Sequence, residues 1–263
     1  MLTYSKEHLS FLKKIKRRKH LIYLNQILII IIFFLIWELL SRLNLINTFL
    51  FSSPSNIIKT ISSLISSNNF TSHCLVTLKE IIVSFTLSLG IGFIIATILW
   101  WNDFLAKVID PYLTILNSLP KVALGPLIII WVGASYSSII VMSLMISLFI
   151  TIINLYTSFT STDKNFIFLL KSLKASKYQI YKEIILKANL RNILNTMKIN
   201  ISMNLIGVIM GELLVSKSGI GYLIMYGSQV FNINLVITSV FILGIISSIL
   251  YYLINYFEHK INY

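Results

Sequence analysis

The sequence predicts an all-α membrane protein that crosses a lipid bilayer about six times, with both termini in the cytoplasm. Hydrophobic residues fill 56% of the 263 positions and charged residues only 12%, which is about half the charged fraction of an ordinary soluble domain. The mean hydropathy of +0.84 indicates that lipid surrounds most of the chain. Backbone that faces lipid must satisfy its own hydrogen bonds, so we expect each apolar block to be helical.

Six apolar blocks supply the predicted helices. The third block is short and starts after Pro120, and its helix extends back to Tyr112 if the chain breaks at that proline. The blocks are residues 21–43, 81–101, 122–132, 138–156, 199–215 and 233–256. We therefore divide the chain into a basic cytoplasmic tail at 1–20 and a membrane domain at 21–263, whose longest polar loop is about 161–198.

The distribution of basic residues assigns the sides of the membrane. Lysine and arginine concentrate in the N-terminal tail, the 102–118 linker, the 161–198 loop and the C-terminal tail, as cytoplasmic segments do. The opposite loops hold Arg42, Lys59, Lys79 and Lys217. A five-span alternative with a re-entrant third block would place the 161–198 charges outside. The pattern favours six spans in the cell membrane.

Composition and motifs argue against several functional classes. The net charge of +13 does not indicate nucleic-acid binding, because the positive residues lie between apolar blocks rather than on one face. No histidine lies inside an apolar block, and no metal-ligand spacing or nucleophile–base pair occurs. A glycine-rich phosphate loop is also missing from the sequence. We predict no catalytic residue, metal or cofactor, so any ATP must be bound by a partner.

A few polar or small residues inside the blocks are candidates for a solute pathway or for helix packing. Glu212 lies near the outer end of the fifth block, and Asn204 lies within it. Gly207 and Gly211 are four residues apart, which lets two helices approach closely. Glu38 lies at the outer end of the first block, where it reaches water. No motif identifies substrate-binding residues.

The 161–198 loop carries the most specific pattern. Leucine, isoleucine and tyrosine recur between its lysines, which predicts two short amphipathic helices joined around Ala175 and Ser176. Such helices either lie flat against anionic lipid headgroups or dock onto a cytoplasmic protein.

From about Trp37 onward, the sequence resembles the membrane permease subunits of ATP-binding-cassette importers, and more narrowly their nitrate/sulfonate/taurine-type branch. Each matching stretch is weak alone, but their order and spacing together are specific. The stretches are IWELLSRLNLI, FSSPSNIIKTI, TLKEIIVSF, DPYLTILNSLPKVALGPLIIIWVGAS, SLKASKYQIYKEIILKANLRNIL and GELLVSKSGIGYLI.

The fifth stretch resembles the family's coupling loop, which docks onto an ATPase. The coupling residues implied by this resemblance are Lys174, Ala175, Ser176, Lys177, Tyr178, Ile184 and Leu186. The loop departs from the family pattern at its start, where Phe168, Leu169 and Leu170 replace Glu-Ala-Ala. Lys174 also replaces a glycine, and Lys187 replaces a proline.

The resemblance implies a transport subunit that forms the path for a small solute and is not itself an enzyme. The implied partners are cytoplasmic ATP-binding cassette ATPase subunits, an extracytoplasmic solute-binding protein and a second permease copy, which makes a homodimer. Sulfonates, taurine, nitrate, bicarbonate and vitamin precursors all stay open as solutes. Two other functions are left open: an ion-coupled secondary carrier, which would need more buried polar groups than Asn204, and an inactive permease or membrane scaffold.

Overall fold

A computed structural model describes residues 6–67 and 69–261, and every regular element in these residues is a helix. A 3₁₀ turn at Lys121–Leu124 precedes α6, and a π-helical turn at Tyr181–Ile185 joins α9 to α10. The helices are α1 (Lys6–Arg42), α2 (Thr48–Phe51), α3 (Pro54–Ser66), α4 (Asn69–Trp101), α5 (Asp103–Ser118), α6 (Gly125–Val132), α7 (Tyr136–Thr160), α8 (Lys164–Ser172), α9 (Lys177–Ile180), α10 (Leu186–Ala188), α11 (Leu190–Val215), α12 (Ile220–Gln229) and α13 (Ile233–Ile261). The predicted all-α class is confirmed.

Five of the described helices, α1, α4, α7, α11 and α13, are long and apolar enough to cross a membrane. A sixth span is possible from α5 together with the segment Lys121–Val132, which meet at an 82° bend. The bend lies at Leu119 and Pro120. Leu119 is extended (ψ 143°), as expected for a residue that precedes proline. The described residues therefore contain five or six candidate spans, in agreement with the prediction.

Several helices begin earlier than the apolar blocks that predicted them. α4 begins at Asn69 rather than Ile81, and α11 begins at Leu190 rather than Ile199. Backbone hydrogen bonds continue through the polar residues at these ends, whereas hydropathy follows only the apolar part. As a result Glu80 lies inside a helix, and the last part of the 161–198 loop belongs to α11.

The centre of the fold is formed by α4, α7 and α11. In the most apolar stretch of α7, 56% of the residues are buried, whereas none is buried in the corresponding stretch of α1. α1 therefore lies at the periphery, where Trp37 stacks on Phe241 of α13 with ring centroids 5.7 Å apart. The predicted 1–20 tail is helical from Lys6, and its first five positions lie outside the described residues.

Candidate functional site

The turn between α8 and α9 is a Schellman motif centred on Lys174. The Ala175 N–H donates to the Leu170 carbonyl at 3.0 Å, and the Lys174 N–H donates to the Lys171 carbonyl at 2.9 Å. Lys174 has a φ of 58°, the left-handed region that glycine normally occupies at this position. This is the residue at which the coupling-loop resemblance expects glycine, so the lysine side chain strains the backbone here.

Ser176 starts the second helix of the loop with a capping box. Its Oγ accepts the Gln179 N–H at 3.3 Å, while the Gln179 Oε1 accepts the Ser176 N–H at 2.7 Å. Two backbone donors that the helix leaves unpaired are satisfied in this way. The prediction of two short helices joined around Ala175 and Ser176 is confirmed.

The residues that the resemblance assigns to coupling divide into an exposed and an inward group. Lys174, Ser176, Lys177 and Tyr178 are exposed, and Ala175 is half-buried. By contrast, the half-buried side chains Ile184 and Leu186 pack against a buried cluster that includes Phe159 of α7. The exposed group is free to meet a partner, whereas the inward group attaches the loop to the membrane helices.

Beside the exposed group, apolar side chains project into solvent. Phe168 is 72% exposed and Leu173 is 70% exposed. We call this surface the docking face; it consists of Phe168, Leu169, Leu173 and Tyr178. Exposed apolar patches commonly mark protein or membrane contacts. Phe168, Leu169 and Leu173 are not among the coupling residues that the resemblance implied. The recurrence of large apolar residues between lysines in the sequence was the signal that could have identified them.

Directly behind the docking face, the loop is fixed to the end of α4 by a set of aromatic contacts that we call the aromatic anchor. It consists of Thr97, Trp100, Trp101, Lys177 and Tyr181. Tyr181 is buried, its hydroxyl lies 2.6 Å from Thr97 Oγ1, and its ring centroid lies 5.0 Å from that of Trp100. Burial raises the pKa of the Tyr181 phenol, against a smaller lowering by the Thr97 hydrogen bond.

Lys177 completes the aromatic anchor from the other helix of the loop. Its ammonium donates to the Trp101 carbonyl at 2.6 Å and lies 5.5 Å and 5.7 Å from the ring centroids of Trp100 and Trp101. Both contacts favour a cation. The Trp101 carbonyl lies at the end of α4, where it has no helical partner, and the faces of the two indole rings are electron-rich. Sequence reasoning missed this pairing; the signal was a tryptophan pair at the end of an apolar block.

Midway along the bundle, α4, α7 and α11 are joined by a buried polar network. The Asn204 amide donates to Ser88 Oγ at 3.0 Å and to Asn200 Oδ1 at 2.6 Å. Its Oδ1 accepts from Ser143 at 2.8 Å and from Ser147 at 3.1 Å. We call this the serine–asparagine network; its members are Ser88, Ser143, Ser147, Thr151, Asn200 and Asn204, all at most 1% exposed. Such hydrogen bonds hold membrane helices together.

Two glycines of α11 allow α7 to approach closely. A Cβ atom at Gly207 would lie 2.4 Å from Ser143 Cα, and one at Gly211 would lie 2.9 Å from Ile139 Cα. Backbone occupies the space that any side chain would need. Gly207 and Gly211 therefore lie in the close contact between α7 and α11, and Asn204 lies in the network that joins both of these helices to α4.

Glu212 organises the outer end of the bundle. It is 1% exposed, and its carboxylate accepts from Thr77 Oγ1 at 2.6 Å and from the Gly221 N–H at 2.5 Å. The Thr77 oxygen in turn accepts the Ile220 N–H at 2.8 Å. Glu212 and Thr77 together satisfy backbone donors in the first turn of α12, where a negative charge is also favoured by the helix dipole.

The segment before α12 is held by a further contact from α4. His73 Nδ1 accepts the Gly219 N–H at 2.9 Å. Gly219 has a φ of 109°, and a Cβ atom there would lie 2.2 Å from Glu212 Oε1. Glycine is required here by both backbone and space.

A cleft of about 470 Å³ opens beside Glu212, on the side that the charge pattern assigns to the outside. Its lining includes Lys79, Glu80, Tyr136 and Lys217. The Lys79 ammonium lies 5.6 Å from the centroid of the Tyr136 ring. The volume is in the usual range for small-molecule pockets, about 300–1,000 Å³. The prediction overlooked Glu80 because hydropathy started the second block one residue later. We call this feature the outer cleft.

Comparison with protein families gives one match, to the model of the binding-protein-dependent transport system inner membrane component, over residues 88–263. This range includes α7, the 161–198 loop, α11 and α12, but not the part of α4 that carries Thr77 and Glu80.

Several relatives are similar over most of the chain. A putative aliphatic sulfonates transport permease protein SsuC of Bacillus subtilis is 25% identical over 244 residues, covering 93% of this chain and 88% of the relative. The formylaminopyrimidine transport permease protein ThiX of Halalkalibacterium halodurans is 27% identical over 199 residues, covering 76% and 79%.

The fold is similar to that of a solved structure of the MetNI methionine ABC transporter in an inward-facing conformation. The TM-score is 0.63 at 16% identity, and the match covers 71% of this chain and 93% of the other. The helical arrangement described above is therefore one already seen in a solved membrane protein.

Proposed function

The chain belongs to the family of binding-protein-dependent transport system inner membrane components, and from this premise we propose that it is the permease subunit of an ATP-driven importer. It is a multi-pass protein of the cell membrane and a component of a transport system. In the proposed complex it forms the path for a small solute, an external binding protein delivers that solute, and separate cytoplasmic subunits hydrolyse ATP.

The observation that carries this proposal is the exposed docking face backed by a rigid support. Phe168, Leu173 and Tyr178 leave apolar surface open to a partner, and Tyr181 ties the same loop to α4. A force on the loop then reaches the helix bundle, because packed side chains transmit displacement. A loop that only rested on lipid headgroups would not need such a support.

Lysines around the docking face indicate the charge of the partner. Lys171, Lys174 and Lys182 are exposed around the apolar residues. Complementary acidic groups on an ATPase would speed association more than they would add affinity. The exposed apolar surface then supplies the contact area once the partner has arrived.

The second permease copy is the remaining proposed partner. Two features support it: no residue in the most apolar part of α1 is buried, and α6 exposes Ile130 at 75% and Trp131 at 73%. A homodimer would cover part of this surface and would place two coupling loops side by side for a pair of ATPase subunits.

The solute is proposed only as a class. The relatives named above transport sulfonates and formylaminopyrimidine, and sulfonates, taurine, nitrate, bicarbonate and vitamin precursors all fit the branch. Lys79 and Lys217 both line the outer cleft, although basic residues are scarce on the outer side. This convergence favours a solute that carries an anionic group.

Co-purification tests the proposed function. The chain should copurify with a nucleotide-binding ATPase, and the complex in proteoliposomes should take up solute only with ATP. Ala175→Glu should weaken ATPase binding about ten-fold or more, since a charge enters the turn beside the docking face. Ser161→Glu, which adds the same charge at an exposed position, is the control. Equal ATPase recovery with Ala175→Glu, or an equal loss with both variants, would contradict the proposal.

A further inference from the structure

Two carboxyl groups lie buried against each other at the outer end of the bundle. Glu80 of α4 is 2% exposed and Glu212 of α11 is 1% exposed, and their side chains lie within hydrogen-bonding reach of each other. An ionised carboxylate can only accept hydrogen bonds. A hydrogen bond between two carboxyl groups therefore needs a proton on one of them, and two adjacent buried negative charges would be very costly.

The hydrogen-bond donors around the pair assign that proton to Glu80. Both oxygens of Glu212 accept strong donors, from the Thr77 hydroxyl and from the Gly221 N–H, and the Tyr222 N–H is a further donor. Converging donors stabilise an ionised carboxylate. Glu80 has no comparable set: its Oε2 lacks a hydrogen-bond partner among the described residues.

The Thr77 hydroxyl supports the same assignment. Its oxygen accepts the Ile220 N–H, so its own proton is left to donate to Glu212, as the 2.6 Å separation indicates. Thr77 thus acts as a donor toward Glu212, and Glu212 is the acceptor in its contacts with Thr77 and Gly221. The acid form at Glu80 makes the contact between Glu80 and Glu212 favourable as well.

Nearby cations do not neutralise the pair. Lys79 and Lys217 are exposed, and neither forms an ion pair with Glu80 or Glu212 in the described ranges. His73 accepts a backbone N–H through Nδ1, so that nitrogen carries no proton. The titratable groups around the pair are His73 and Lys79 on α4, Tyr136 on α7, Lys217 before α12 and Tyr222 on α12.

We propose that Glu80 is a protonated positioning residue, which donates its proton to Glu212 and thereby fixes the 216–222 segment against α4. This segment supplies Ser216, Lys217 and Ser218 to the wall of the outer cleft. His73, Thr77 and Glu80 follow one another at helical spacing on the same face of α4, so one helix face holds the whole segment.

The consequence for transport rests on the proposed function. The outer cleft lies between α4 and residues 216–218, so widening it moves these two walls apart, and the Glu80–Glu212 hydrogen bond opposes that movement. Loss of the Glu80 proton would turn this attraction into repulsion between two carboxylates. The proton on Glu80 therefore sets how readily the outer cleft opens.

Infrared spectroscopy of the purified full-length protein in nanodiscs tests the location of the proton without any partner or transport measurement. The wild-type protein should show the carbonyl band of a protonated carboxylic acid. Glu80→Gln should remove this band, whereas Glu212→Gln should keep it. Loss of the band in Glu212→Gln alone, or its absence from the wild type, would overturn the assignment.

Thermal unfolding tests the positioning role. Glu80→Gln keeps a neutral donor to Glu212 and should melt close to the wild type, whereas the similarly sized Glu80→Leu lacks a donor and should melt several degrees lower. Equal melting of the two variants would contradict the positioning role.

The pH dependence of uptake tests the consequence for transport. Wild-type uptake should persist at low external pH and change once rising pH removes the Glu80 proton; this change is the alkaline limb of the pH profile. Uptake by Glu80→Gln should lack the alkaline limb, because glutamine has no such proton to lose. An alkaline limb retained in Glu80→Gln would overturn the inference. Failure to bind an ATPase would sink the proposed function alone, since the infrared and melting results need neither nucleotide nor solute.

Discussion

The two ends of α4 are held by opposite kinds of contact. At the cytoplasmic end, the rings of Trp100 and Trp101 pack against Tyr181 and Lys177, and the docking face stays open beside them. At the outer end, Thr77 and Glu80 make buried hydrogen-bonding contacts with Glu212. The cytoplasmic end relies mainly on aromatic ring contacts, to which Tyr181 and Lys177 each add a hydrogen bond, whereas the outer end relies on a few directional polar contacts.

This difference fits different mechanical roles. Apolar contacts must stay covered, so the aromatic anchor is suited to remain closed while the loop follows the proposed ATPase. Hydrogen bonds are worth little net when water replaces them, so the outer contacts are suited to break when the cleft opens. Between the ends, the serine–asparagine network keeps α4, α7 and α11 together.

The largest expected effect comes from removing the anchor. Tyr181→Ala should destabilise the protein by about 3 kcal/mol, because a buried aromatic ring leaves a cavity and Thr97 loses its partner. Thermal unfolding measures this loss, and in the complex ATP hydrolysis should continue with little uptake, since the loop no longer moves α4.

Tyr178→Ala is the matched control for the anchor. Tyr178 is 62% exposed on the docking face, so its truncation should leave the melting temperature nearly unchanged and weaken ATPase binding instead. If both tyrosines affected melting and binding alike, the distinction between anchor and docking face would be wrong.

A smaller loss is expected in the middle of the bundle. Gly207→Ala should cost about 2 kcal/mol, because its methyl group meets the Ser143 backbone and forces α7 from α11. Denaturation of the purified protein measures the change.

Gly90→Ala provides the control, since a Cβ atom there meets nothing within 4 Å. Alanine is the better helix former, so this variant should be neutral or slightly stabilised. An equal loss at both glycines would show that close α7–α11 contact is not the cause.

The sequence predicted the features that depend on local pattern. Hydropathy located the spans, Pro120 marked the bend between α5 and α6, and the lysine-rich periodicity around Ala175 and Ser176 predicted two helices. Each of these follows from residues close together in the chain. The prediction that Gly207 lets helices approach closely also rested on residues of a single helix, namely the four-residue spacing between Gly207 and Gly211.

The features that the sequence did not predict depend on residues far apart in the chain. Glu80 drew no notice because a charge at the edge of an apolar block normally faces water, and only the pairing with Glu212, on another helix, buries it. The Tyr181–Trp100 contact likewise joins separate elements. The serines of the network look like ordinary small residues of apolar blocks until Asn204 is placed among them.

The smallest expected effect concerns the strained backbone at Lys174 in the 161–198 loop, where the substitution should stabilise the protein rather than destabilise it. Lys174 holds a φ of 58°, which costs a non-glycine residue about 1 kcal/mol. Lys174→Gly should therefore stabilise the cytoplasmic end by about that amount and raise the melting temperature slightly, with Lys171→Gly, inside α8, as the destabilising control. The lysine charge is lost in both variants, so a difference between them isolates the backbone. Because glycine also loosens the unfolded chain, the gain should be smaller than the loss at Lys171. A loss at both positions would mean that Lys174 contributes more through its side chain, against an acidic partner, than it costs in backbone strain.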